Sequence, residues 1–334
     1  MARLAILIVV ILFNNVRLHA QNDALHELDI NLENYQYPFT VSYLTFESQG
    51  ETLKMAYMDL KPEKGNGKSI MLLHGKNFNG AYWEVTAKAL QKSGYRVVIP
   101  DQIGFGKSSK PIHYQYSFHE LAYNTKKVLD ELQISRVIVL GHSMGGMLAT
   151  RFSLMYPEIV QKLILENPLG LEDYKLKVPF QTVDKWYQSE LKSNYDSIKN
   201  YQLTSYYDGK WKDAYNKWVN LLAGWTLNPD YPKIAWNAAL TYDMIYTQPV
   251  CYEFDKIAIP TLMIIGQRDR SAVGKNLATD QVRKTLGNYP ELGKLTQAKI
   301  KNSQSAELHN IGHLPHIEDF EQFIRPLLKF VDSN

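Results

Sequence analysis

The chain has 334 residues, of which 45% are hydrophobic and 21% charged, an ordinary globular balance long enough for one large core with an insertion. A net charge of +3 offers no basic excess that would argue for nucleic-acid binding. A single cysteine, Cys251, excludes an intrachain disulfide.

The N-terminus stands apart from this average. Arg3 precedes the apolar run Leu4 to Phe13, and Leu18-His19-Ala20 offers a small residue at a cleavage point. Residues 1–20 therefore read as a secretory signal peptide, the run being short for a transmembrane helix; an uncleaved anchor is the alternative. Removal of residues 1–20 takes away Arg3 and Arg17 and no acid, so the net charge falls from +3 to +1. A periplasmic or secreted bacterial protein is expected, with no stable membrane span after cleavage. A chain of this size can rely on its core rather than on disulfides. Cys251 reads as a packed small residue, since no histidine lies near it in sequence.

Residues 21–38 form a polar lead-in. Thr40 to Glu47 and Thr52 to Leu60 alternate in polarity around Ser-Gln-Gly and predict an antiparallel hairpin at a sheet edge. Ser69 to Leu73 predicts a buried strand ending at His74-Gly75. A helix comes next over Ala81 to Ser93, stopped by Gly94, and then a strand over Tyr95 to Ile99 ending at Pro100-Asp101. Ser117, with Glu120 three residues on, predicts a capping box opening a helix to Leu132. Arg136 to Leu140 is a β-branched apolar run that reads as a buried strand, followed by a helix to Tyr156 that Pro157 ends. Lys162 to Glu166, Thr261 to Ile265 and Ser303 to His309 complete the strands, and Asp319 to Val331 the closing helix. Alternating buried strands and helices predict an α/β fold, a mostly parallel sheet with helices on both faces.

The segment 168–255 breaks this rhythm. It holds five of the six tryptophans, Trp186, Trp211, Trp218, Trp225 and Trp236, with helical periodicity and no buried strand. It reads as a helical cap inserted into a core formed by residues 40–167 and 256–334. Insertions at strand C-termini cover the site of an open sheet. Most of the cap aromatics are expected to form its own core and a minority to face a pocket.

Within Gly141-His-Ser-Met-Gly145 the chain must pass from strand to helix in a few residues. The glycines permit close approach, and Ser143 is lifted onto the N-terminus of a helix, where free N–H groups stabilise an anion. This is a nucleophile elbow in its strand–turn–helix setting. A serine needs a general base and the base an orienting acid. Asp269 lies just past the Thr261–Ile265 strand, with Glu172 and Asp173 as competitors for the acid; a surface ion pair with Arg268 and Arg270 is the structural alternative. His313, after Gly312, lies past the last strand and is preferred as base over His316, which looks like the start of the closing helix. His74 and His142 are expected to support loops. The oxyanion donors are expected to be the backbone N–H groups of Met144 and Lys76, with Asn77 as second choice. The Lys76 side chain is expected to reach solvent; the sharper alternative is that it lines the pocket mouth and favours substrates bearing a carboxylate.

His74-Gly75, Asp101-x-x-Gly-x-Gly-x-Ser108, Gly141-x-Ser-x-Gly145, Gly266-x-x-Asp269 and Gly312-His313 together resemble the α/β-hydrolase superfamily over residues 40–330. The resemblance is to the capped branch of proline iminopeptidases, C–C bond hydrolases and cofactor-free haloperoxidases. It implies no cofactor and no metal. Ser143 excludes the aspartate-nucleophile chemistry of dehalogenases and epoxide hydrolases, and Lys76 departs from the small or aromatic residue the family leads one to expect there. The expected activity is hydrolysis of a small ester, thioester or lactone through an acyl-enzyme. The alternatives are C–C bond hydrolysis or peroxidation on the same triad, or a non-catalytic binding protein.

Overall fold

The structure, a computed structural model, describes residues 24–333; the signal peptide expected over residues 1–20 lies outside the described residues. Eight strands form one sheet in the order β1-β2-β4-β3-β5-β6-β7-β8. β1 (Val41–Ser48) and β2 (Glu51–Leu60) make the antiparallel edge hairpin. They are joined through Gln49 and Gly50, both at positive φ (53° and 80°), as a tight hairpin turn of this hand demands. β2 runs antiparallel to β4 (Arg96–Pro100), and every later pairing is parallel: β3 (Ser69–Leu73), β5 (Val137–His142), β6 (Val160–Glu166), β7 (Thr261–Gly266) and β8 (Ser303–Leu308).

The central strands are continuous apolar runs because helices cover both faces. Successive residues alternate between two cores: Met71, Leu73 and Val139 pack on one side, and Ile70, Leu72, Ile138 and Leu140 on the other. α1 (Glu84–Lys92) is entered through a 3-10 turn, Gly80–Trp83, capped by Asn79, so the predicted helix from Ala81 is two elements. α2 (Phe118–Glu131) is N-capped by the Ser117 hydroxyl, which accepts from the Glu120 N–H at 3.0 Å. The capping box is only half made, because the Glu120 carboxylate accepts from Ser48 of β1 at 2.6 Å instead. α3 (Met144–Met155) comes directly after β5.

Between β6 and β7 lie α4 (Val183–Glu190), α5 (Tyr195–Ser205), α6 (Asn216–Thr226) and α7 (Tyr231–Thr247), in the segment read as an inserted cap. α8 (Tyr289–Lys299) was not predicted. Its buried Gly293 lies so near β7 that an added Cβ would sit 3.0 Å from Ile265 Cγ1. α9 (Phe320–Asp332) buries Phe323, Leu327 and Val331 at four-residue spacing, each contributing about 1.5–3 kcal/mol of burial. His309 lies one residue past β8 rather than within it.

The lead-in is more than polar. Leu28, Leu32, Tyr35 and Tyr37 are buried, and the segment works as a strap between cap and core. The Leu28 N–H donates to the Gly224 carbonyl of α6 at 3.0 Å, and Trp225 Nε1 donates to the Asp29 carbonyl at 3.1 Å. At its other end the Tyr37 hydroxyl donates to Asp101 Oδ2 at 2.6 Å, beyond β4.

Candidate active site

Ser143 sits between β5 and α3 at φ 56°, ψ −122°, a backbone conformation that side chains rarely adopt and that costs about 1–3 kcal/mol. Its neighbours explain how the turn is held. A Cβ on Gly141 would overlap the Gly145 carbonyl, and one on Gly145 would overlap the Leu73 carbonyl of β3, so only glycine lets strand and helix meet this closely.

His313 Nε2 lies 3.0 Å from Ser143 Oγ, and His313 Nδ1 lies 2.7 Å from Asp269 Oδ2. Asp269 is fully buried, and its other oxygen accepts the Ser271 N–H at 2.8 Å. With Nδ1–H donating to the carboxylate, Nε2 is left to accept a proton from the serine. The flanking arginines do not reach this carboxylate: Arg268 pairs with Glu318 at 2.5 Å, and Arg270 donates to the carbonyls of Gln267 and Asp269. The competing acids are engaged elsewhere. Glu172 takes Lys177 and the Gly287 N–H, each at 2.7 Å, and Asp173 takes the Tyr252 hydroxyl at 2.9 Å. His316 turns away from the serine to Glu166 Oε1 at 2.8 Å and stacks on Trp83.

His74 and His142 both hold loops. His74 Nε2 accepts the Gln102 N–H at 3.0 Å. His142 joins three loops in one hydrogen-bonded chain: the Gly75 N–H donates to the Tyr82 hydroxyl, which donates to His142 Nδ1, while His142 Nε2–H donates to the His313 carbonyl at 2.8 Å. Burial pushes the His142 pKa well below the ordinary histidine range, and the neighbouring His313 adds to the shift, so the ring stays neutral as this chain of bonds requires.

Residues 68–319 match the model of the alpha/beta hydrolase fold family. The chain belongs to the α/β-hydrolase fold family. A crystal structure of a probable hydrolytic enzyme from Pseudomonas aeruginosa superimposes with a TM-score of 0.91 at 46% identity, covering 92% of this chain and 99% of that one. A Synechocystis protein provisionally named a non-heme chloroperoxidase is 29% identical over 236 residues, 67% of this chain and 80% of that protein. An Escherichia coli 2-hydroxy-6-oxononadienedioate/2-hydroxy-6-oxononatrienedioate hydrolase is 35% identical over 130 residues, 38% of this chain and less than half, 44%, of that protein.

In this α/β-hydrolase the serine opens onto a cavity of about 800 Å³ between core and cap, lined among others by Trp186, Tyr201, Tyr206 and Tyr242. A second chamber of about 400 Å³ adjoins it, with Leu222, Trp225, Tyr231 and Ile234 in its walls. Both share Lys76, Asn77, Glu190, Tyr201 and Tyr242. Of the cap tryptophans, Trp186 and Trp225 face these chambers, while Trp211 and Trp218 pack against Tyr207, Tyr215, Phe78 and Tyr82. The Lys76 side chain corrects the expectation of a solvated lysine. It is 9% exposed, its ammonium lying 3.5 Å over the Tyr242 ring and 4.0 Å from Glu190 Oε1, because the cap closes over the loop that bears it.

Sequence reasoning missed several residues that hold the site. Asn167, at φ 36°, accepts the Gly266 N–H at 2.8 Å and donates to the Gly312 carbonyl at 2.6 Å, joining the loops of Asp269 and His313. Its place at the end of a buried strand was the available signal. Tyr206 stacks on the His313 ring with centroids 4.9 Å apart and accepts from Asn77 Nδ2 at 3.0 Å, which gives Asn77 a side-chain role. No sequence signal marks Tyr206, since the cap's packing decides where it points. Among the described residues no cluster of three or more His, Cys, Asp or Glu could hold a metal ion, and no helix is long and apolar enough to cross a membrane.

Proposed function

We propose that the protein is an exported serine hydrolase that cleaves a small ester, thioester or lactone through an acyl-enzyme. The observation that carries this reading is the hydrogen-bonded series Ser143–His313–Asp269, with the serine on a strained turn at a helix N-terminus. In this mechanism His313 Nε2 takes the Ser143 proton as Oγ attacks the carbonyl carbon, and Asp269 stabilises the imidazolium. The N–H groups of Met144 and Lys76 receive the oxyanion. The Gly75 N–H is taken by the Tyr82 hydroxyl and the Phe78 N–H by the Gly75 carbonyl, which leaves Lys76, the preferred donor, and Asn77, the second choice, in that loop. His313 then protonates the leaving oxygen or sulfur, and water, activated by the same nitrogen, releases the acid.

The test is labelling with a fluorophosphonate. Wild-type protein is expected to label and Ser143→Ala not to; a folded wild type that does not label would overturn the reading in favour of a non-catalytic binding protein. C–C bond hydrolysis or cofactor-free peroxidation on the same side chains is the second reading, favoured by similarity to the E. coli hydrolase and the Synechocystis protein. Turnover of a β-ketoacid panel with no turnover of an ester panel would select it. Export rests on the N-terminal run, and N-terminal sequencing of protein recovered from the periplasm or medium tests it, an intact residue 1 sinking cleavage.

A further inference from the structure

We propose that this active site selects substrates carrying a carboxylate a few bonds from the scissile carbonyl, received by the Lys76 ammonium. The inference rests on the acyl-hydrolase reading for the position of the carbonyl, and on independent features of the cavity for the charge.

The Lys76 side chain is nine-tenths buried, and the carboxylate oxygen nearest its ammonium, Glu190 Oε1 at 4.0 Å, lies within ion-pair range but beyond hydrogen-bonding distance. Its closest partner is the face of Tyr242 at 3.5 Å, which attracts a cation but accepts no conventional hydrogen bond. Among the described residues its three N–H donors therefore find no acceptor, while the side chain lines both chambers. Burial pushes the Lys76 pKa down and the Glu190 carboxylate pulls it back up. A substrate carboxylate entering there would supply the missing acceptor.

The rest of the larger chamber has the same sign. Arg270 and Lys275 line it, and their hydrogen bonds go to backbone carbonyls, of Gln267 and Asp269 for the arginine and of Arg270 and Leu286 for the lysine. Carbonyl oxygens satisfy donors without cancelling net charge. Arg283 lines it too and meets Asp280, which points to solvent. Of the acids in the same wall, Asp208 is paired with Arg268 at 3.4 Å, which leaves Glu190 facing Lys76. A low-dielectric cleft lined mostly by one sign of charge concentrates the opposite sign.

Distance sets the length of the substrate. The proposed oxyanion donor is the Lys76 N–H itself, and an extended lysine stem carries its ammonium on the order of 6 Å from its own Cα. A carboxylate three to five carbons from the scissile carbonyl spans that interval, so half-esters of C4 to C6 dicarboxylic acids are the expected class.

The experiment compares kcat/KM for the monomethyl esters of succinate, glutarate and adipate with those for methyl esters of uncharged acids of equal length. Wild type at low salt is expected to prefer the anionic series by tenfold or more, and Lys76→Met to lower the anionic-to-neutral ratio by tenfold or more, which is about 1.4 kcal/mol. Calorimetry of glutarate and adipate with Ser143→Ala, and with Ser143→Ala carrying Lys76→Met, reads the same contact without turnover; a tenfold weaker Kd in the double variant is expected. Wild type without preference, or equal affinities in the two calorimetric variants, would overturn the proposal. Fluorophosphonate labelling together with an unchanged ratio would sink the carboxylate site and leave the hydrolase standing. Failure to label would remove the hydrolase, and calorimetry would still decide the site.

Discussion

Replacing Asp269 by asparagine tests the proposed chemistry with almost no change of shape. One carboxylate oxygen faces His313 Nδ1 at 2.7 Å and the other accepts the Ser271 N–H at 2.8 Å, in a fully buried position. An amide has one oxygen for these two places. If the oxygen stays on Ser271, the NH2 group faces Nδ1, the ring proton must move to Nε2, and the base can no longer accept from Ser143. If the amide turns over, the histidine keeps its tautomer but two N–H donors confront each other at Ser271. The second arrangement leaves a buried donor without an acceptor, at about 1–3 kcal/mol. The first is therefore favoured, and with it a loss of about 10³ to 10⁴ in kcat/KM. The assay is hydrolysis of the best ester from a panel, with a thermal melt showing that the variant is folded. A loss of less than about tenfold would refute the assignment, most plainly if Glu172→Gln or Asp173→Asn proved severe instead.

Ser143→Ala should lower turnover by a factor on the order of 10³ or more with the melting temperature held or raised, since it removes the proposed nucleophile; near-normal turnover would exclude Ser143. Tyr37→Phe removes the 2.6 Å bond to buried Asp101 and should cost about 1.5–3 kcal/mol, read as a lower urea midpoint at unchanged slope. A change within about 0.5 kcal/mol would mean that the strap is not held there. Stability should fall on acidification. His142 and His74 both have folded pKa values depressed by burial, so below about pH 6.5 the unfolded chain binds protons that the folded chain refuses. Above that pH both states are neutral at these rings and the effect vanishes. The slope approaches about 1.4 kcal/mol per pH unit for each ring, and a melting temperature unchanged between pH 7 and pH 5 would contradict it.

The middle of the sheet was legible because its strands are buried on both faces, so Ser69–Leu73, Val137–Leu140 and Thr261–Ile265 announce themselves as short β-branched or aliphatic runs. The neighbourhood of Ser143, Asp269 and His313 was legible for a related reason. Each lies just beyond the C-terminal end of a parallel strand, and parallel strands all end at the same edge of the sheet. The features that stayed hidden depend on contacts distant in sequence. Lys76 looked like a surface lysine because nothing local reveals that Tyr242 and Glu190 close over it. Glu120 looked like a capping-box partner because its bond to Ser48 spans the α2 helix and the edge strand. Residues 24–38 looked polar because their four large buried side chains are spread among acids and asparagines, and the alternations that carry them, Leu28 to Leu32 and Tyr35 to Tyr37, are short.

The strap has a consequence for how the molecule comes into being. Leu28 meets Gly224, and Asp29 meets Trp225, across nearly two hundred residues, so the first described stretch of chain is among the last to find its partners. Contacts of such sequence separation raise contact order and are made late, once the loop between them has been closed. A nascent chain would hold Leu28 uncovered until the α6 helix exists. During that interval its side chain is apolar surface open to chaperones or to other chains.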